Sequence, residues 1–188
     1  MRIITGQARG RRLQTLPGED TRPTAGRVKE ALFSALQFEL EGRRVLDLFA
    51  GSGQMGLEAL SRGAAGCVFV DSNPAAVEVI RQNQRATGLT AGTQVLCQDA
   101  LTYLSHRHDR FDIVFLDPPY AAGLLEDCLD RVVPFLNEGG VILCETDDKT
   151  KLPQRAGDFG LQKTYRYGKT CIWLYRHGQP VDEEQQQF

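Results

Sequence analysis

Nothing in this 188-residue chain approaches the roughly 20 consecutive apolar residues that a membrane-spanning helix requires. The opening Met1-Arg2-Ile3-Ile4-Thr5-Gly6 has no long apolar core of the kind secretion signals carry. Cysteines are few: Cys67, Cys97, Cys128, Cys144 and Cys171 are odd in number, and the nearest two stand 16 positions apart. That excludes CxxC redox and zinc spacings, so reduced thiols in a cytoplasmic protein are expected. None of His106, His108 and His177 falls in a motif, and no metal is expected. Internal repeats and long linkers are missing as well.

What is present is ordinary globular material. Hydrophobic residues make up 41% and charged residues 24%, with 19 Gly and 8 Pro, which rules out long disorder, collagen and coiled coil. The net charge of −2 conceals an asymmetry. Residues 1–29 carry seven basic side chains against Glu19 and Asp20, a net of +5, leaving −7 on the rest. A basic arm on an acidic body suits a polyanionic partner, because Lys and Arg on phosphates release counterions. A solvated basic face would look the same.

Short strand-like pieces flank Gly6-Gln-Ala-Arg-Gly10, which predicts a small hairpin over residues 2–15. Pro17 to Pro23 reads as loop. Thr24 is the expected N-cap of a helix whose apolar residues Val28, Ala31, Leu32, Ala35, Leu36 and Leu40 recur at helical spacings, with Gly42 ending it. From Arg43 strands and helices alternate. Strands are expected over 44–50, 67–71, 93–97, 111–117 and 140–146. Helices are expected over 54–62, 74–87, 100–105 and 124–136, the second capped by Asn73 with Pro74 as its first residue. This is the pattern of a parallel sheet with helices on both faces. Runs 161–166 and 170–176, joined around Gly168, predict a hairpin that adds an antiparallel strand. The expected division is a basic extension over 1–42, an α/β domain over 43–177 and a mobile acidic tail over 178–188.

The first strand runs into Asp47-Leu-Phe-Ala-Gly51-Ser-Gly53-Gln-Met-Gly56. Glycines at a strand-to-helix turn admit a ligand close to the backbone, and the helix N-terminus offers free N–H groups. Asp71 ends the second strand, where a carboxylate can hold ribose hydroxyls. A ligand-free turn also needs glycines, but an acid at the next strand end favours a nucleotide-like ligand. NAD fits that spacing too. Asp47 argues for a cation instead, since it would repel a pyrophosphate and attract the sulfonium and ammonium of S-adenosylmethionine; simple support of the turn backbone is the alternative. Asp99 suits a helix N-cap or an acceptor for an adenine amino group, and both stay open.

Asp117-Pro118-Pro119-Tyr120 ends the fourth strand. Prolines hold the backbone extended and supply no N–H, so the carbonyls remain acceptors. Asp117 and the Pro118 carbonyl can grip the two hydrogens of an exocyclic amino group while Tyr120 stacks on the base, a term of roughly 1–3 kcal/mol. A strand-ending turn with a surface Tyr is the plainer reading.

Asp47-Leu-Phe-Ala-Gly-Ser-Gly53 with Asp117-Pro-Pro-Tyr120 resembles the class I S-adenosylmethionine-dependent amino-methyltransferases. Three further stretches are Arg2-Ile-Ile-Thr-Gly6 with Gly10-Arg-Arg-Leu13, Arg22-Pro-Thr with Arg27-Val-Lys-Glu-Ala-Leu-Phe33, and Gly56-Leu-Glu-Ala-Leu-Ser-Arg-Gly-Ala64. With these the chain, to about residue 176, resembles the RsmD family, which methylates N2 of a guanine (position 966) in 16S ribosomal RNA. Gln54-Met55 departs from the smaller and aliphatic residues usual there, and the acidic tail lies outside the pattern.

The resemblance implies a Rossmann-like, mostly parallel seven-stranded sheet with an antiparallel last strand and a small N-terminal extension. It implies S-adenosylmethionine across the ends of the first strands. Asp47, Gly51 and Gly53 would lie near its amino-acid part, with Phe49 and Ser52 in the same loop. Asp71 would hold the ribose beside Ser72 and Asn73, and Asp99 the adenine beside Ala100. Asp117, Pro118, Pro119 and Tyr120 would present the base. Arg2, Arg9, Arg11, Arg12, Arg22, Thr24, Arg27 and Lys29 would bind RNA, in a small ribosomal subunit or its assembly intermediate. Rival readings are an adenine-N6 methyltransferase acting on DNA or RNA, a nicotinamide dehydrogenase and a non-catalytic RNA-binding module. No oligomeric state is assigned.

Overall fold

The computed structural model describes residues 1–16, 23–36, 38–106, 109–118 and 123–181, without the side chains of Pro23, Thr24, Ala25 and Arg27. Nearly all of the Pro17–Pro23 loop, Arg22, Pro119, Tyr120, His108 and most of the acidic tail therefore lie outside the described residues. After α1 (Pro23–Ala35), strands and helices alternate as β1 (Arg44–Leu48), α2 (Gln54–Ser61), β2 (Gly66–Asp71), α3 (Pro74–Thr87), β3 (Thr93–Cys97), α4 (Ala100–His106), β4 (Phe111–Leu116), α5 (Leu124–Val132) and β5 (Leu136–Asp147). Three more strands follow: β6 (Arg155–Ala156), β7 (Phe159–Tyr167) and β8 (Thr170–His177).

They form one eight-stranded sheet in the order β3-β2-β1-β4-β5-β8-β7-β6. β1 to β5 are parallel, and β8 inserts antiparallel between β5 and β7. The strand beyond the seven expected is the two-residue edge piece β6. Alternation along the central strands sorts the core into two layers. Val45, Phe69, Ile113 and Phe115 pack under α1, α2 and α3 through Leu32, Phe33, Leu57 and Ile80. Leu46, Val70, Val114 and Leu116 pack under α4 and α5 through Tyr103, Leu125 and Leu129. Each such side chain contributes roughly 1.5–3 kcal/mol, and both faces are covered, which is why these strands read as near-continuous apolar runs.

Two helices, and the strand after the second, differ from expectation in their bounds. α1 opens at Pro23, whose fixed φ suits a first helical residue, so Thr24 lies inside the helix rather than at its cap. It ends at Ala35; Leu36 and Leu40 are buried beyond it, and Gly42, at φ 73, shapes the turn into β1. α5 stops at Val132 because Pro134 follows and has no N–H to continue the ladder. β5 accordingly begins at Leu136, and a register shift between Phe111 and Ile113 absorbs the extra residues.

The N-terminal hairpin has Ile3 N–H donating to Arg11 O at 3.0 Å and Leu13 N–H to Met1 O at 2.9 Å, but only one isolated bridge, Arg2 to Arg12. A pairing this short needs outside support, and α2 and α3 supply it. Glu58 accepts from Ile4 N–H at 2.8 Å and Thr5 N–H at 3.0 Å, and Ser61 Oγ from Ala8 N–H at 3.0 Å. Asn83 clasps Gln14 through both amide atoms and donates to Ser52 O at 2.9 Å. The arm is thereby tied to the glycine loop.

Candidate active site

Strand order reverses direction at β1, with β2 on one side and β4 on the other. In open α/β sheets ligands bind at such a switch point, outside the carboxyl ends of the strands. Leu48 lies opposite both Val70 and Leu116, so the glycine loop, Asp71 and Asp117 emerge at one level around that crevice. Asp99 follows β3 at the same rim.

The glycine loop is wound tightly. Gly51 and Gly53 have φ of 52 and 77, and Phe49 shares the left-handed region at φ 76. A bulky residue is strained there, and such strain concentrates at ligand sites. The surrounding bonds hold it: Phe49 and Ala50 N–H both donate to Val70 O at 3.0 Å, and Gly51 N–H donates to Asp71 Oδ2 at 2.8 Å. Asp71 Oδ1 accepts from Asn73 N–H at 2.8 Å, and Asn73 caps α3 by accepting from Ala75 N–H at 2.9 Å. Ser72 is exposed beside it, and Ser52 is buried in the loop.

Asp47 is 3% exposed and accepts from Gly56 N–H at 2.8 Å. It therefore holds the turn backbone, the simpler of its two sequence readings. Burial nonetheless pushes its carboxyl up to about 7, with the Asp71 charge adding to the rise and the Gly56 N–H and Lys29 opposing it. One backbone donor does not replace the lost water, and a cation in the crevice would complete the charge balance. Asp99 caps α4, accepting from Thr102 N–H at 2.9 Å, with Ala100 buried next to it. Asp117 is exposed at the end of β4 and Pro118 buried behind it; Pro119 and Tyr120 lie outside the described residues.

One expectation is corrected. Lys29, assigned to RNA phosphates, is 3% exposed and lies 3.3 Å from Glu58 Oε2, an ion pair rather than an aligned hydrogen bond. Burial pushes its ammonium down to about 8, against the Glu58 charge. α1 turns it into the core, so no phosphate reaches it. Arg2, Arg9, Arg11 and Arg12 are exposed, with Arg11 also donating to Ala86 O at 2.8 Å. Arg22 and the side chains of Thr24 and Arg27 lie outside the described residues. The sequence gives little sign of Glu58, Ser61 and Asn83, which hold the arm against the glycine loop; the one available signal was a carboxylate at a core-facing position of α2, inside Leu57-Glu-Ala-Leu60. A separate cavity of about 840 Å³, lined by Thr5, Glu30, Phe38, Ser61 and Arg62 among others, includes none of the crevice residues. Among the described residues no cluster of three or more potential metal ligands occurs.

Comparison with known proteins agrees with this geometry. Residues 1–176 match a family described as Conserved hypothetical protein 95. YlbH of Bacillus subtilis, named as a candidate rRNA methyltransferase, is 39% identical over 94% of this chain and 98% of its own. The Escherichia coli ribosomal RNA small subunit methyltransferase D is 34% identical, covering 94% and 89%. Among solved structures, yhhF of Escherichia coli, described as a candidate methyltransferase, superposes with a TM-score of 0.84 at 33% identity, covering 95% and 98%. A Thermus thermophilus 16S rRNA N2 G1207 methyltransferase, in complex with AdoMet and guanosine, superposes at 0.68 with 25% identity, covering 86% and 44%. With its crevice at the β1/β4 switch point and its antiparallel β8, the chain has the class I methyltransferase fold and belongs to the Conserved hypothetical protein 95 family, the RsmD/YlbH family.

Proposed function

We propose that the protein transfers a methyl group from S-adenosylmethionine to the exocyclic N2 of a guanine in 16S ribosomal RNA, at the position numbered 966. The observation that carries this reading is the meeting, at one switch point, of a strained glycine loop with a buried acid and the Asp117-Pro118 corner. Similarity to small-subunit rRNA methyltransferases supports the substrate class. The residues suit the donor: a backbone cradle at Gly51–Gly53, an acid at the β2 end for ribose hydroxyls, and Asp47 for positive charge. When bound, S-adenosylmethionine supplies a methyl carbon on a cationic sulfur.

The chain's own residues do the positioning. Asp117 and the Pro118 carbonyl accept from the two amino hydrogens, which orients the nitrogen lone pair toward the cradle. Proximity and orientation supply most of the acceleration. Asp117 need not be a strong base, since the nitrogen becomes acidic once alkylated, and the proton can leave to water or to the carboxylate. Tyr120 stacks on a base that has left its helix, which costs a few kcal/mol and least in an open loop. Arg2, Arg9, Arg11 and Arg12, with Arg22 and Arg27, contact phosphates, so that residues 1–42 serve as the RNA-contacting extension of a methyltransferase domain over 43–177. The substrate is a small ribosomal subunit or its assembly intermediate in the cytoplasm.

Transfer of labelled methyl to RNA and to DNA, followed by nucleoside analysis, tests this. N2-methylguanosine in RNA is expected. N6-methyladenosine, or label in DNA alone, would replace the reading with the adenine enzyme. Mapping of the modified nucleotide in RNA from cells with and without the protein fixes the position.

A further inference from the structure

β4 and β5 run side by side, with Phe115 opposite Leu143 and Leu116 opposite Cys144. Phe115 and Leu143 belong to the core layer under α1–α3, whereas Leu116 and Cys144 belong to the other. Asp117 is the first residue beyond β4; carrying the observed register and the alternation of strand side chains one residue further puts Asp117 and Glu145 on the α1–α3 face as neighbours, at the interstrand spacing of about 5 Å. Pro118 keeps Asp117 extended and so preserves that alternation. The carboxylate beside the acceptor corner is therefore Glu145.

The fold alone does not account for Glu145. It is partly buried, follows four buried residues (Val141, Ile142, Leu143 and Cys144) and lies opposite Ile172, itself 1% exposed. Among the described residues it has no hydrogen-bond or ion-pair partner. Burial raises its carboxyl above the usual range. With no donor from the described chain, only water at the crevice meets its carboxylate, and partly buried acids of this kind gather at functional sites.

We propose that Glu145 reads the edge of the target base, accepting the guanine N1–H while Asp117 and the Pro118 carbonyl hold the adjacent amino group. This rests on the methyl-transfer reading above and extends it to base choice. Guanine presents two neighbouring donors, N1–H and the N2 amino group. Adenine presents a donor, its N6 amino group, next to an acceptor, N1. A second carboxylate accepts from the first pattern and repels the lone pair of the second. The Asp-Pro-Pro-Tyr corner serves either base, and Glu145 makes the distinction. A site built to accept a substrate hydrogen bond rejects an analogue lacking that donor by factors of about 10² to 10⁵.

The experiment compares two small-subunit rRNA fragments, one with guanine and one with 2-aminopurine at the target position. 2-Aminopurine keeps the 2-amino group but turns N1 into an acceptor. The unaltered protein is expected to favour guanine by at least about 100-fold in kcat/KM. Glu145→Gln, whose amide donates as well as accepts, is expected to shrink that preference to below about tenfold, and Glu145→Asp to keep the preference at a lower rate. If Glu145→Gln slows both substrates equally, the residue is only structural and the proposal is overturned. Equal use of both bases by the unaltered protein overturns it as well. Failure to modify either RNA removes the methyl-transfer reading and this assignment together. Circular dichroism of both variants checks that the ratios come from folded protein.

Discussion

Two buried carboxylates, Glu58 and Asp47, lie on the same side of the sheet and are treated in opposite ways. Glu58 is fully buried and surrounded by donors: the Ile4 and Thr5 N–H groups, Arg62 Nε at 2.8 Å, and Lys29 at 3.3 Å. Its charge is met by groups that the fold itself brings. Asp47 has the Gly56 N–H at 2.8 Å, and burial lifts it to about 7. Lys29 reaches both only as a distant or shared charge. The contrast separates a carboxylate that fastens the N-terminal arm from one with a single backbone donor, which the proposed cationic donor would balance.

Removing the fastening should have the largest effect on stability. Glu58→Gln leaves Lys29 and Arg62 without their counter-charge, and breaking a buried pair costs about 3–5 kcal/mol. For a chain of this size that is a fall of roughly 10 °C in the thermal midpoint, measurable by calorimetry. Asp117→Ala should do the reverse: the thermal midpoint stays within a few degrees, because the side chain is exposed, while methyl transfer drops by about 100-fold or more. Equal loss of stability in the two variants would erase the contrast.

Asp47 sharpens it through pH. A cationic ligand favours the ionised carboxylate, so cofactor affinity should weaken as pH falls through about 7, by up to about tenfold per pH unit, in titration calorimetry. Asp47→Asn should flatten that profile. In the ligand-free protein the sign is opposite. The folded chain holds this proton more tightly than the unfolded one, so the contribution to stability is full below 3.8 and is lost as pH rises through about 7. The smallest effect concerns the arm's outer face. Replacing Arg9, Arg11 and Arg12 by Ala should reduce the slope of log affinity for RNA against log salt by about 0.7 per lost phosphate contact, with Lys29 contributing nothing because it is buried.

The alternation of strands and helices was legible from Arg43 onward because each parallel strand is a short apolar run covered on both faces. Asn73-Pro74 marked α3 because cap and first-turn chemistry is local. The end of α1 was not legible: Leu36 and Leu40 keep helical spacing but are buried from turns, so periodicity reported burial and not helix. The same confusion put Lys29 on the surface. Its charge suggested solvent, but its place among Val28, Leu32 and Phe33 turned it inward toward a glutamate that sequence distance hid.

By itself, then, the sequence determined what depends on near neighbours: the element order, the positive-φ glycine turn after β1, and the extended acceptor corner that Pro118 enforces at Asp117. The tertiary structure alone decided what depends on register between distant segments. It gave Glu58 donors from more than 50 positions away and left Asp47 beneath a turn with one donor, the Gly56 N–H, among the described residues. It also paired Leu116 with Cys144, the residues that immediately precede Asp117 and Glu145. Local sterics act over a few bonds and can be read along a chain, whereas charge pairing in a core depends on which side chains the packed sheet brings within a few ångströms.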